Sequence, residues 1–322
     1  MKDLASIKLP NLVSAPRSDK EPEIELMRAE DGIQYSCRIW RGEVGAPVIL
    51  YLHGIEGHSQ WFENGADYLN QKGMTIYAPD RRGSGLNARD RGHMNTFRDY
   101  IGDINDMLRR ISQEHSGHPI VVWGHCWGAK GAVLVCQDME KTGKEKEAKT
   151  RAEDLLSKGY PVCGLVLTCP AIYSRLDFDM KKKLTIAFNH FMGDRRAMRK
   201  WEIPLTASML TDNPVYMNYI EEDPLRLKEV TSTFFYESHK LTTLAQKAAP
   251  KLSLPILILQ AGADQIVDVP KVEGWLEKTR SQDKSMRIFP DASHSLDFDE
   301  TWFKEYMHLV SGWLLARTPV VS

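Results

Sequence analysis

A cysteine lies between two glycines in the segment VVWGHCWGAKGAV, residues 121–133. The apolar run before it predicts a buried strand, and the small residues after it predict a helix. This is the arrangement of the G-x-S-x-G nucleophile elbow, a sharp strand-to-helix turn that presents an attacking side chain. We therefore interpret Cys126 as a nucleophile. The alternative is a buried cysteine that acts as a small apolar residue.

Two further reactive side chains follow predicted strands nearer the C-terminus. Asp264 ends the run LPILILQAGAD, and His294 lies in the loop after SMRIF. Asp268 is the weaker acid candidate because it is expected to cap the next helix. The chain order of nucleophile, acid and histidine is one of the orders in which catalytic triads occur. We predict that His294 accepts the proton of Cys126 and that Asp264 orients the imidazole.

An acyl-transfer site also needs hydrogen-bond donors for the oxyanion. The loop LHGIEGHS follows a predicted strand, and the backbone amide of Ile55 within it is expected to face the site. The amide of Trp127, the residue after the nucleophile, is the second predicted donor. His53 and His125 flank these backbone turns and are expected to orient loops rather than to act as bases.

Apolar runs that predict strands alternate with helical patterns along most of the chain. This alternation predicts a mostly parallel sheet with helices on both faces. The stretch 172–250 is rich in charge, Met and aromatic residues at helical spacing and contains no clear strand. We predict a core built from residues 1–171 and 251–322, with a helical cap formed by 172–250. The predicted strands lie within the runs 24–27, 34–40, 47–54, 74–85, 118–125, 162–171, 254–264 and 285–294.

The composition is that of an ordinary globular protein, with 322 residues, 42% of them hydrophobic, and a formal net charge of −1. This balance indicates no preference for nucleic acid or a membrane surface. No signal peptide or membrane span is predicted. The five cysteines form no CxxC pair, so neither a zinc site nor a disulfide framework is expected, and a reducing cytoplasm fits. The charge-rich run 141–159 predicts a solvated helix and loop.

Several motifs occur together in the N-terminal half: HGIEGHS, YAPDRRGSG, RGH and FRDYIGDI. With GHCWG, GADQIVD and ASHSLDFD, their order and spacing resemble the monoacylglycerol lipase and lysophospholipase branch of the α/β-hydrolases, which are serine aminopeptidase S33-type hydrolases. The resemblance covers most of the chain from about Ile24 onward. It implies an α/β-hydrolase fold with a cap over an acyl pocket, no metal or cofactor, and Ile55 and Trp127 as oxyanion donors.

The chain departs from that branch at Cys126, because the branch uses serine there. Either the thiol is the natural nucleophile, or a serine has been replaced by engineering. Cysteine elbows occur in dienelactone hydrolases and polyhydroxyalkanoate synthases of the same superfold, and the second group transfers acyl groups from thioesters. A thiolate is a better leaving group than an alkoxide, so its adduct with an oxygen ester tends to revert. We expect activated donors such as thioesters or strained lactones.

The sequence thus predicts a hydrolase of acyl esters or thioesters with an acyl-cysteine intermediate. One alternative is an acyltransferase or condensing enzyme that passes the acyl group to an amine, alcohol or thiol. Another is a ligand-binding protein without catalysis. The expected partner is a small-molecule acyl substrate, either lipid-like or a carrier-bound thioester, and not a nucleic acid. The residues predicted to line the acyl pocket are Phe188, Phe191, Met192, Trp201, Met209 and Tyr216.

Overall fold

The computed structural model describes residues 8–12, 21–137 and 161–318, and the predicted helix and loop at 141–159 lie outside them. The strands in these ranges are β1 (Glu23–Arg28), β2 (Gln34–Trp40), β3 (Val48–Leu52), β4 (Thr75–Pro79), β5 (Ile120–His125), β6 (Val162–Thr168), β7 (Lys200–Glu202), β8 (Glu229–Thr231), β9 (Ile256–Ala261) and β10 (Lys284–Phe289). The helices are α1 (Glu63–Asn70), α2 (Phe97–Glu114), α3 (Gly128–Val135), α4 (Met180–Phe191), α5 (Asp194–Ala197), α6 (Ala207–Leu210), α7 (Pro214–Glu222), α8 (Ser232–Lys247), α9 (Val269–Glu277) and α10 (Phe303–Arg317). Short 3-10 turns lie at Ser59–Phe62, Ala249–Lys251 and Leu296–Phe298.

Eight strands form one sheet in the order β1-β2-β4-β3-β5-β6-β9-β10. The pairs β1–β2 and β2–β4 are antiparallel, and the other neighbours are parallel. Strands β3, β4 and β9 are buried along their whole length, as expected when both faces of a sheet are covered. The predicted strands and the mostly parallel sheet are confirmed.

The parallel strands β5, β6, β9 and β10 end at one edge of the sheet. In the register, His125 pairs with Thr168, Thr168 with Leu259, and Ala261 with Phe289. Residues that follow these strand ends are therefore brought together although they are far apart in sequence. Loops at the carboxyl ends of parallel strands are where open α/β sheets bind ligands.

The stretch between β6 and β9 holds helices α4 to α8. It also contains a two-stranded antiparallel ribbon of β7 and β8. The expectation that this stretch contains no strand is therefore wrong. Each ribbon strand has only three residues, too few to produce a recognisable alternation of polar and apolar residues. The boundaries given above for the cap stay a prediction. In the part of the chain that the structure describes, no helix has both the length and the apolarity needed to cross a bilayer.

Gly128 lies where α3 begins against the loop that follows β3. A Cβ atom added there would stand 2.2 Å from the carbonyl oxygen of Leu52 and 2.6 Å from that of His53. Because both neighbours are backbone atoms, they cannot yield without shifting a buried strand. We expect Gly128→Ala to destabilise the protein by about 2–3 kcal/mol, measured as a lowered Tm. The matched control is Gly274→Ala in α9, where a Cβ would meet nothing within 4 Å and the Tm should hold or rise. Equal Tm values for the two variants would contradict this packing.

Candidate active site

Cys126 occupies the sharp turn between β5 and α3. Its backbone φ is 51°, in the left-handed region that residues other than glycine seldom adopt. Two hydrogen bonds hold this turn: the amide of Cys126 donates to the Thr168 carbonyl at 2.9 Å, and the amide of Ala171 donates to the Cys126 carbonyl at 3.0 Å. The turn is thus maintained by the neighbouring strand β6 and its loop. Strain of this kind, fixed by the surroundings, is typical of functional sites.

His294 and Asp264 form a buried pair at the same edge of the sheet. His294 Nδ1 donates to Asp264 Oδ2 over 2.8 Å, and Gln260 Nε2 donates to the same oxygen at 2.9 Å. The amides of Ile266 and Val267 donate to the other oxygen, Oδ1, at 2.8 and 3.0 Å. Both carboxylate oxygens are therefore bound, which fixes the orientation of the imidazole. Burial opposes ionisation of Asp264, but His294 and these amide donors hold the pKa of the carboxyl below its ordinary value.

The second ring nitrogen of His294, Nε2, is buried and meets no regular hydrogen-bond partner among the described residues. Burial by itself would lower the pKa of His294. The charges of Asp264 and Cys126 outweigh burial, so this pKa lies above its ordinary value. Cys126 and His294 also line one narrow cavity together. An imidazole that is readily protonated beside a thiol can form a thiolate–imidazolium pair.

Two other histidines at this edge cannot replace His294. Burial lowers the pKa of His53 and of His125 to about 3, so neither is basic enough to hold the proton of a thiol near neutral pH. His53 accepts a hydrogen bond from the amide of Arg81 at 2.9 Å, and its Nδ1 lies 2.8 Å from the carbonyl of Gly54. His53 thus supports the backbone of its loop, as the sequence predicts.

The two predicted oxyanion donors lie beside the nucleophile. A Cβ on Gly54 would stand 3.3 Å from Cys126 Cβ, so the loop that carries Ile55 passes directly over the turn. Arg81 donates to the carbonyls of Gly54 and Ile55 at 3.4 and 3.1 Å, and its guanidinium lies 4.6 Å from the ring centre of Trp127. One buried arginine therefore holds both segments in place. That the Ile55 and Trp127 amides bind an oxyanion stays a prediction.

A cavity of about 570 Å³ opens from this site toward the helices between β6 and β9. Cys126, Ile55 and Trp127 form part of its wall. The rest is mostly apolar, which suits an acyl chain. The main apolar side chains along it are Ile172, Leu176, Phe178, Leu184, Ile186, Ala187, Ile203, Leu205, Phe235 and Ile266.

None of the six aromatic and Met residues predicted to line the acyl pocket is part of this wall; they are Phe188, Phe191, Met192, Trp201, Met209 and Tyr216. The first three lie on α4 and at its end, with 54%, 71% and 52% of their surface exposed. From α4, the cavity wall instead takes Lys183, Leu184, Ile186 and Ala187. Helical spacing defines the faces of a helix, but it does not say which of them turns inward.

The other three of these residues pack against neighbouring side chains. Tyr216 is buried, donates to the Pro10 carbonyl at 2.6 Å and stacks on Phe298. Trp201 donates to Ser232 Oγ at 2.7 Å, in the β7–β8 ribbon region. Met209 packs, partly buried, against the hydrophobic core. Their types reflect packing, which is the commoner use of such residues.

Three residues of the site were not singled out by sequence. Gln260 supports Asp264, and Lys130 lines the large cavity. The signal for Lys130 was a single charge in a helix otherwise made of small apolar residues. Cys169, with φ of 43°, offers a sulfur within 4.8 Å of ligand atoms of Asp264 and His294. These three side chains could reach a common cation, but the pair of Asp264 and His294 is already committed to its own hydrogen bond.

Comparisons with known proteins identify the family and the fold. The family described as serine aminopeptidase, S33, matches residues 45–301. Human monoglyceride lipase is 25% identical over 309 residues, which is 94% of each chain. Phospholipase YtpA of Bacillus subtilis is 22% identical over 260 residues, covering 80% of this chain and 91% of that protein. A solved soluble variant of monoglyceride lipase from Saccharomyces cerevisiae, in complex with a substrate analog, superimposes with a TM-score of 0.76 at 18% identity, covering 96% and 99% of the two chains. The predicted α/β-hydrolase fold is confirmed.

Proposed function

This chain belongs to the serine aminopeptidase S33 family, and on that premise we propose that it hydrolyses acyl esters or thioesters through an acyl-cysteine on Cys126. One observation carries the proposal. Cys126 is held at a φ of 51° beside the His294–Asp264 pair, at the mouth of a mostly apolar cavity of about 570 Å³. A nucleophile, a base and an orienting acid at one end of an acyl-sized cavity are the parts that acyl transfer needs.

In the proposed acylation step, the Cys126 thiolate attacks the acyl carbonyl and a C–S bond forms. The backbone amides of Ile55 and Trp127 bind the oxyanion of the tetrahedral intermediate. The bond to the leaving alcohol or thiol then breaks, and the imidazolium of His294 gives that group its proton. Asp264 keeps the imidazole in the orientation that this transfer requires.

In deacylation, a water molecule attacks the thioester carbonyl while His294 takes one of its protons. The C–S bond breaks, the acyl group leaves as a carboxylic acid, and the proton on His294 restores the pair with the Cys126 sulfur. Asp264 stabilises the positive charge on the ring throughout. The proton that leaves with the alcohol or thiol is thus replaced by one from water, and the cycle ends with the thiolate–imidazolium pair restored.

The substrate class follows from the cavity and from the thiol. Two of the relatives are named monoglyceride lipases and one a phospholipase, and the apolar wall of the cavity here favours a lipid-like acyl group in the same way. A sulfur nucleophile is expelled in preference to an alkoxide but competes evenly with another thiolate. We therefore expect thioesters, including carrier-bound ones, to react faster than matched oxygen esters.

The second candidate function is acyl transfer to an acceptor other than water. The observation that favours it is Cys126 itself, since a thioester intermediate is more open to amines, alcohols and thiols than an oxygen ester. Assays of an acyl thioester with and without such acceptors separate the two functions. If the free acid is released at the same full rate with and without every acceptor tested, transfer is excluded. A folded protein in which iodoacetamide leaves Cys126 unmodified would instead favour ligand binding without catalysis.

The test of the proposed chemistry compares the protein with its Cys126→Ser variant on a thioester and on the matched oxygen ester. We expect the ratio of kcat/KM for thioester over ester to fall by at least about tenfold in the variant. The reason is that a cysteine adduct expels a thiolate leaving group about as readily as the cysteine itself, whereas it expels an alkoxide poorly, and a serine nucleophile lacks this bias. Cys163→Ser, near the start of β6, is the matched control and should leave the ratio unchanged. A serine variant that exceeds the wild type on both substrates would show that the thiol is not the natural nucleophile.

A further inference from the structure

Lys130 places a positive charge inside the acyl cavity. It lies in α3, four residues and about one helical turn after Cys126. Only 7% of its surface is exposed, and its side chain forms part of the cavity wall together with Cys126 and Trp127. The other residues of α3 are small or aliphatic and buried, so this lysine is an exception within its own helix.

No carboxylate of the described residues is paired with this charge. Among the described residues, the Lys130 ammonium has neither an ion pair nor a side-chain hydrogen bond. Its one polar contact is the ring of Trp127, whose centre lies 5.9 Å from Nζ. The acidic residue on the cavity wall, Asp177, is paired with Lys183 instead. Burial lowers the pKa of Lys130 to about 8, although the charge of Cys126 acts in the opposite direction.

A buried ammonium without a counter-ion is costly, and a single cation–π contact compensates only part of that cost. Such a group persists where a ligand supplies the missing charge. A negatively charged oxygen group entering the cavity would meet Lys130 about one helical turn from the sulfur that attacks the acyl carbonyl. Because Lys130 is largely buried, an ion pair with it would be stronger than the same pair in bulk water.

We propose that Lys130 binds a carboxylate on the acyl group, so that the site prefers acyl donors with a carboxylate a few carbons from the reacting carbonyl, such as succinyl or glutaryl thioesters and their longer apolar derivatives. This inference rests on the proposed function, because it assigns the substrate class of the same site. The cavity then has two roles: its apolar wall packs on the acyl chain, and Lys130 fixes the position of the carboxylate relative to Cys126. The alternative is that Lys130 only stabilises the Cys126 thiolate, and such a role would affect the turnover of all acyl donors alike.

The test uses two N-acetylcysteamine thioesters of equal length: succinyl, which is anionic, and succinamoyl, its neutral amide. We expect the wild type to favour the succinyl thioester in kcat/KM by at least about tenfold. Lys130→Met keeps most of the aliphatic stem and should bring the ratio of kcat/KM for the succinyl thioester over the amide to about one. Lys130→Arg keeps the charge and should keep the preference. Lys181→Met, which removes an exposed lysine of α4 that is not part of the cavity wall, is the matched control and should keep the wild-type preference.

Equal losses on both thioesters in Lys130→Met, with an unchanged Tm, would overturn the inference and favour thiolate stabilisation. A wild type that does not distinguish the two thioesters would overturn it as well, while leaving the proposed function intact. Absence of turnover on every ester and thioester would instead contradict the proposed function. In that case, calorimetric binding of succinate monomethyl ester and of its amide to Cys126→Ala, with and without Lys130→Met, still decides the role of Lys130: tighter binding of the anion must depend on the lysine.

Discussion

Cys126→Ala is expected to lower kcat/KM on the best thioester by about 10,000-fold or more. The variant removes the only atom that can carry the acyl group in the proposed cycle. What remains is the background rate that binding and the oxyanion donors provide without a nucleophile. The wild type, mixed with substrate and quenched early, should gain the mass of one acyl group on the peptide that contains Cys126. The alanine variant should show no such adduct.

The matched control is Cys163→Ala. Cys163 lies near the start of β6, at the opposite end of the strand from Thr168, whose carbonyl supports the turn of Cys126. Its removal should leave both turnover and the acyl adduct unchanged. Turnover in Cys126→Ala within tenfold of the wild type, or an adduct on another residue, would refute covalent catalysis by this sulfur.

Asp264→Asn is expected to reduce kcat by about 10,000-fold with little change in fold. The amide keeps the size of the carboxylate, but it removes the negative charge that raises the pKa of His294. Without that charge the pKa of His294 falls, so at a fixed pH a smaller fraction of the ring is protonated and paired with the Cys126 thiolate. Asparagine also permits the other tautomer of the imidazole. Rates across a pH series, together with the rate of alkylation of Cys126 by iodoacetamide, report both effects.

Asp268→Asn is the matched control for this change. Asp268 is the N-cap of α9 and accepts from the amide of Lys271, a role that asparagine fills nearly as well. We expect its kcat to stay within about twofold of the wild type. If Asp268→Asn lost activity as severely as Asp264→Asn, the assignment of the acid would be wrong. The two variants carry the same chemical change four residues apart, so the comparison isolates the contact with His294.

The sequence by itself determined the parts of this protein that depend on local chemistry. A continuous apolar run followed by Gly-His-Cys-Trp-Gly predicts a strand, a tight turn and a helix, and the structure has β5, the turn at Cys126 and α3 in those places. Asp268 was expected to cap a helix, and it does. Alternation of strands and helices predicts parallel strands, whose carboxyl ends must meet at one edge. This is why Cys126, Asp264 and His294 could be predicted to lie close together, although up to about half the length of the sequence separates them.

Only the tertiary structure decided what faces the cavity. The aromatic and Met residues of α4 have the spacing of a buried stripe, yet Phe188 and Phe191 are exposed and Ile186 turns inward. Which face of α4 is covered depends on how this helix packs on α8. That contact is long-range, and sequence spacing does not encode it. Lys130 and Gln260 are further examples. Lys130 lines the cavity and Gln260 binds Asp264 only because segments distant in sequence pack next to them. Burial is a property of the assembled fold, because it depends on contacts with residues that the local sequence pattern does not identify.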